Sequence, residues 1–431
     1  MQRIGVIGAG HVGLVTAAVF ADLGNKVICQ DSDRQKIKKL KKGDLPIYEP
    51  GLSKLIKKNV KAKRLSFTHN LPEVVNKCFI IFICVGTPPR EDGSADLSSV
   101  ENVTRKIAQN MKEYKIIVGK STVPVETGEW IRRTILMHNK CKVEFSIVSN
   151  PEFLREGSAI KDTLYPDRIV LGVEDKKAEK IMRQLLKPIK APIVITNIKT
   201  AEMIKHASNS FLATKISFIN AVGHICEKVG ADVIKVADGM GLDKRIGRAF
   251  LNAGAGFGGF CFPKDLEAFI YIAKKAGYDF GLLRETAKIN REQRQLLVKK
   301  VEEALWIIPG KTIGVLGLSF KPNTDDIRFS VSIDVIRMLQ KEGAKIKAYD
   351  PQAMQEARKE LKNVKFCRNP YEAAQNSDCL LIMTEWDEFR HLDLARIKRL
   401  LRQPILIDGR NIFEPGQMNK LGFIYKSIGR G

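Results

Sequence analysis

Residues 3–31 read RIGVIGAGHVGLVTAAVFADLGNKVICQD. An apolar run from Arg3 to Ile7 meets Gly8-Ala-Gly10-His11-Val12-Gly13, and Val12, Val15, Val19 and Leu23 then recur at helical spacing. The pattern is a strand, a tight glycine turn and an amphipathic helix. Glycines in such a turn let the backbone approach a pyrophosphate at the helix N-terminus, so Gly8, Gly10, His11, Val12 and Gly13 are candidate dinucleotide contacts. The second apolar run ends at Asp31, where a carboxylate holds ribose hydroxyls and repels the 2′-phosphate of NADP. Arg34 and Lys36 close by pull the other way. NAD is the cofactor expected, with Lys36 beside it.

Outward from this unit the alternation continues. Short apolar runs at Ile4–Ile7, Val27–Cys29, Phe79–Val85, Ile116–Val118, Ile147–Val148, Ile169–Val173 and Ile193–Ile195 are separated by amphipathic stretches. Strand and helix signals in alternation predict an α/β fold with a parallel, doubly wound sheet. From Ala201 to about Leu305 the strand signals lapse, and Glu202 to Val229 lacks proline, which predicts one long helix. Alternation resumes at Thr312–Leu318, Lys345–Tyr349, Cys379–Met383 and Ile405–Ile407. Two Rossmann-like lobes joined by a central helical domain are therefore expected, with boundaries at 1–196, 197–305 and 306–431. The second lobe's turn carries only Gly314-x-x-Gly317. Lys321 and Arg328 follow it, as in a phosphate site built from side chains.

The 44% hydrophobic and 28% charged content is that of a globular chain. No apolar run approaches the roughly 18–20 residues of a membrane helix. Because nucleotide-binding sequence begins at Arg3, no secretory leader is expected and the location expected is the cytoplasm. Eight cysteines without a CxxC pair predict neither a zinc knuckle nor a disulfide framework, and no metal site is expected. Cys29, Cys84 and Cys379 lie in apolar runs as core residues. A net charge of +24 attracts diphosphates, and nucleic acid only nonspecifically.

Cys261 stands in Gly258-Gly-Phe260-Cys261-Phe-Pro263-Lys264-Asp265. Pro263 suits the first turn of a helix. The sulfur then sits at a helix N-terminus beside Lys264, and both features favour thiolate. Lys205 and Asn209 are one turn apart, able to hold one oxyanion. Asn150-Pro151 is a natural helix start, with Glu152 and Glu156 one turn apart behind it. Thr122 ends a strand on the side of the sheet where ligands bind.

Together these segments resemble the UDP-glucose/GDP-mannose dehydrogenase family. The matching pieces are Val85-Gly-Thr87-Pro-Pro89, Ser121-Thr-Val-Pro124, Asn150-Pro-Glu-Phe-Leu-Arg-Glu-Gly157, Lys205-x-x-x-Asn209, Gly256-Phe-Gly-Gly-x-Cys-Phe-Pro-Lys-Asp265, Phe320-Lys-x-x-Thr-x-Asp-x-Arg328 and Asp408-Gly-Arg410. The resemblance implies that Cys261 is a nucleophile and that Lys205 and Asn209 stabilise oxyanions. Asp265 and Thr122 manage protons and water, and Glu152 positions the hydrolytic water. It implies NAD contacts from Thr87, Thr122, Glu156, Lys264 and Arg328. Glu152, Phe153, Leu154, Lys205, Asn209, Cys261, Phe320, Lys321, Arg410 and the loop containing Phe250, Leu251 and Gly258 would hold a nucleotide sugar. Arg245 would reach the site across a homodimer interface made by the central domain. Phe260 departs from the serine usual before the cysteine.

The activity implied is a four-electron oxidation of UDP-glucose to UDP-glucuronate through a cysteine thioester. Dehydrogenases of UDP-N-acetylhexosamines or GDP-mannose share that mechanism. A two-electron hydroxyacid dehydrogenase can use a similar Lys-x-x-x-Asn but needs neither Cys261 nor a second lobe. A basic nucleic-acid-binding protein would leave the ordered site residues without purpose.

Overall fold

The computed structural model describes residues Met1 to Arg430. The chain divides into two compact units. One comprises Met1–Ser208 with Glu267–Tyr278, the other Asn209–Leu266 with the chain from Asp279 onward.

The first unit holds an eight-stranded sheet. Its strands lie in the spatial order Leu65–Thr68, Lys26–Gln30, Arg3–Ile7, Ile80–Ile83, Lys115–Gly119, Phe145–Ser149, Ile169–Val173 and Ile193–Thr196. Alternate side chains of one strand enter different apolar clusters, Ile80 and Phe82 one, Ile81 and Ile83 the other. Both faces of the sheet are thus covered, which is why its inner strands are unbroken apolar runs. Strand order reverses between Arg3–Ile7 and Ile80–Ile83, and ligands bind beyond the carboxyl ends of strands at such a point.

Two expectations need correction here. The sheet is not wholly parallel: Val148 pairs with Val173 and Ser149 with Gly172 antiparallel, so its last two strands run against the rest. Nor does a helix begin at Asn150-Pro151; residues 151–155 are irregular, and the next helix is Ala159–Leu164. The cap is missing because the Asn150 side chain is committed elsewhere. Its Oδ1 accepts from Lys120 Nζ at 3.1 Å and its Nδ2 donates to the Val170 carbonyl at 2.9 Å.

The long helix runs Ile198–Val229, starting a turn before the predicted Glu202 because Asn197 Oδ1 caps the Thr200 amide. Its first residues belong to the first unit and Asn209 onward to the second. The second unit also holds a six-stranded parallel sheet, ordered Val364–Phe366, Lys345–Tyr349, Thr312–Leu316, Cys379–Ile382, Ile405–Asp408 and Ile424–Ser427. No helix is long and apolar enough to cross a membrane among the described residues.

Candidate active site

At the switch point of the first sheet lies a cavity of about 790 Å³, lined by Gly8, Gly10, Asp31, Lys36, Val85 and Gly86 among others. The three glycines differ in what they do. A Cβ on Gly8, which has φ +103°, would meet the Cys84 carbonyl oxygen at 2.5 Å, and one on Gly13 would meet the Gly8 oxygen at 1.8 Å. Gly10 faces open space. Two glycines therefore close the turn against the sheet while the third leaves room for a ligand, and a dinucleotide pyrophosphate fits this cradle. Asp31 Oδ2 accepts from the Ala9 amide and from Lys36 Nζ, both at 2.9 Å. Burial raises its carboxyl, but the amides of Asp33 and Ala9 and the Lys36 ammonium outweigh that, leaving it below the usual carboxylate range. An ionised Asp31 suits ribose hydroxyls and opposes a 2′-phosphate, and Lys36 is its counterion. His11 Nε2 donates to Glu49 Oε2 at 2.8 Å. Glu49 also accepts from the amides of Gly157 and Ala159.

Two of the candidate residues in the first unit, Lys205 and Glu152, are buried and paired with each other. Lys205 Nζ meets Glu152 Oε1 at 3.0 Å, both side chains almost wholly inaccessible. Glu152 Oε2 accepts the Leu154 amide, and the Phe153 ring lies beneath Arg168 at 3.8 Å and Lys205 at 5.2 Å. Thr87 Oγ1 donates to the Thr122 carbonyl at 2.9 Å, which ties two predicted residues together. Glu156 lies in the turn leading to the Ala159 helix.

In the second unit, the helix Cys261–Lys275 begins at the predicted nucleophile, with Pro263 in its first turn. Cys261 is partly exposed, whereas Cys29, Cys84 and Cys379 are buried. Burial pushes the Cys84 thiol up to about 12, which keeps it in the thiol form. Asp265 accepts from Asn209 Nδ2 on one oxygen and from Lys264 Nζ on the other, each at 2.6 Å. Phe260, the unusual residue, has the Arg328 guanidinium at 4.3 Å and Lys264 at 5.6 Å from its ring. Two cations share that ring, and Arg328 is also held by Asp326.

The second lobe repeats the first with one difference. Asp350, like Asp31, ends its second strand and accepts the amide after the glycine turn, here Leu318 at 2.8 Å. Ser319 and the Trp386 indole share that oxygen, Oδ2, and the Gln352 and Ala353 amides occupy Oδ1, so no carboxylate is left for ribose hydroxyls. Arg410 bonds the carbonyls of Met383, Gly256 and Phe320, which lashes the Gly256 and Phe320 loops to one strand end. Lys321 lies 5.7 Å from the Phe320 ring. Phe250 adopts φ +65°, Leu251 is buried, and Gly258 has the Phe329 carbonyl against it. Arg245 is exposed and pairs with Asp243.

Three side chains went unforeseen. Lys120 is buried at the Asn150 turn, and burial lowers its ammonium. Glu202 and His206 flank Lys205 on the long helix and bond the Thr122 loop. Their spacing from Lys205 was the available signal, but polar helix positions are usually solvated.

Fold and cofactor cradle together define a nicotinamide-dependent dehydrogenase. The chain belongs to the UDP-glucose/GDP-mannose dehydrogenase family: it matches that family's NAD binding domain over residues 2–190, its central domain over 199–292 and its UDP binding domain over 314–415. It is 50% identical to the UDP-glucose 6-dehydrogenase TuaD of Bacillus subtilis, covering all of this chain and 94% of that one. It is 48% identical to a UDP-glucose 6-dehydrogenase of Rhizobium meliloti over the full length of both. A UDP-glucose dehydrogenase from Pyrobaculum islandicum superposes with a TM-score of 0.94 at 38% identity, covering 100% and 98% of the two chains.

Proposed function

We propose that this protein oxidises the C6 alcohol of UDP-glucose to the carboxylate, using Cys261 as a covalent nucleophile. The observation that carries the reading is the burial of two acid–donor pairs, Glu152 with Lys205 and Asp265 with Asn209, whose donors stand one turn apart on a single helix. When bound, NAD⁺ would supply the hydride acceptor for both oxidations at C6. The chain's residues handle everything else. Asp265 and Thr122 manage the hydroxyl proton and water. The Cys261 thiolate adds to the aldehyde carbon, and Lys205 and Asn209 hold the resulting oxyanion. After the second hydride leaves, Glu152 orients water onto the thioester; the C–S bond breaks and thiolate departs. Thr87, Glu156, Lys264 and Arg328 contact the cofactor. Phe320, Lys321, Arg410 and the Phe250–Gly258 loop hold the UDP-sugar in the second lobe, where the occupied Asp350 disfavours a second dinucleotide.

Two NADH per UDP-glucose consumed are expected, measured at 340 nm against sugar loss. One NADH with accumulating aldehyde overturns the four-electron reading. Faster turnover with UDP-N-acetylglucosamine, UDP-N-acetylmannosamine or GDP-mannose overturns the choice of sugar.

The active form is a homodimer seated on the long helix. Phe211, Phe218 and Ile225 recur every seven residues there and are 66%, 50% and 61% exposed. An apolar stripe of that period, left open along a helix of 32 residues, suits a second copy packed around a two-fold axis. Light scattering is expected to give the mass of two chains, and Phe218→Glu that of one. A monomeric wild type, or a Phe218→Glu dimer, refutes this interface.

A further inference from the structure

Glu202 lies one helical turn before His206, and Lys205 stands between them. Its carboxylate takes both ends of a turn in the chain that follows Thr122. Oε2 accepts the Glu126 amide and Oε1 the Gly128 amide, each at 2.8 Å. His206 Nε2 donates to the Val123 carbonyl at 2.8 Å. One turn of the helix thus grips the loop at three backbone points and also carries Lys205. Glu126 needs the grip, because it is held at φ +80°, a left-handed conformation that glutamate rarely adopts. The loop passes its position on: Ser121 Oγ donates to the Val85 carbonyl and Thr87 to that of Thr122.

Glu202 is buried beside a small apolar cavity lined by Ile83, Val123, Ile131, Ile147 and Ile198. Burial pushes its carboxyl up to about 7, Glu129 and Glu126 add to the rise, and the two amides only partly offset it. Lys199 pairs with both of those glutamates. His206 shares the helix, and the strand residues lining the cavity bring no titratable side chain.

We propose that Glu202 is a positioning residue whose ionised carboxylate clamps the Glu126 and Gly128 amides to seat Thr122, and that turnover falls when one of its oxygens is protonated and stops accepting. The inference rests on the reading that Thr122 serves the reaction. The folded carboxyl lies above its ordinary value of about 4.5, so the folded chain binds the extra proton between that pH and about 7. Folding is therefore favoured on the acid side and gains nothing from Glu202 once it is ionised. A merely structural Glu202 has no reason to be charged. The charge serves the loop.

The test compares kcat against pH for wild type, Glu202→Gln and Glu202→Asp, with thermal melts of each at pH 8.5. Wild-type kcat is expected to rise through a midpoint near 7. Glu202→Gln offers one acceptor in place of two; it should lose at least about tenfold in kcat at pH 8.5, lose that limb, and melt no lower than wild type. Glu202→Asp keeps charge but falls short of one amide, so kcat should drop at least threefold and the midpoint should move. The proposal is overturned if Glu202→Gln keeps wild-type kcat or the wild-type midpoint. Should Glu202→Gln not fold, unchanged kcat and midpoint in Glu202→Asp overturn it instead. A wild type yielding one NADH per sugar defeats the reaction reading, whereas these variants report on Glu202 alone.

Discussion

Cys261→Ser is expected to bind NAD⁺ and UDP-glucose yet turn over at least about 1000-fold more slowly, a barrier increase of roughly 4 kcal/mol. The serine hydroxyl sits at the same helix N-terminus, but it is not ionised there and leaves far less readily than thiolate from the acyl intermediate. The variant should therefore stall as an ester on residue 261, visible as an added acyl mass on the intact protein after acid quench. A steady-state rate near that of wild type removes Cys261 from the mechanism. Cys29, Cys84 and Cys379 cannot replace it, because desolvation holds them in the thiol form.

Lys205→Ala should show two separable losses. Removing an oxyanion donor costs about 10²–10³ in kcat. Removing the cation also leaves the Glu152 carboxylate buried without its partner, which costs about 3–5 kcal/mol of stability and lowers the melting temperature. Glu152→Gln added to Lys205→Ala should restore much of the melting temperature, because no charge then remains buried, while kcat stays low. If the double variant recovers activity along with stability, Lys205 is a packing residue and not an oxyanion donor. If Lys205→Ala melts like wild type, the 3.0 Å pair contributes nothing to folding.

The inner strands were legible because parallel strands buried on both faces are unbroken apolar runs, as at Ile80–Ile83 and Cys379–Ile382. Three strands were missed: Leu65–Thr68, Val364–Phe366 and Ile424–Ser427. All lie at sheet edges, where a few residues with polar interruptions carry too little pattern to distinguish from loop. The antiparallel pairing of Phe145–Ser149 with Ile169–Val173 was equally invisible, since hydrophobic runs do not encode direction.

The site divides along the same line. Local sequence determined the glycine turn, Asp31 at its strand end, Cys261 at a helix start with Pro263 behind it, and the one-turn spacing of Lys205 and Asn209, because each depends on backbone geometry within a few residues. Only the tertiary structure decided which acid meets which donor. Glu152 joins Lys205 from fifty-odd positions away in the chain, and Asp265 joins Asn209 across a comparable interval. It also turned Asn150 from a helix cap into a partner of Lys120, and made Glu202, which carried no sequence signal of its own, an anchor for a loop 74 and 76 positions earlier. A carboxylate's partner and its ionisation depend on the burial and the donors that packing brings to it, and neither is written in the residues beside it.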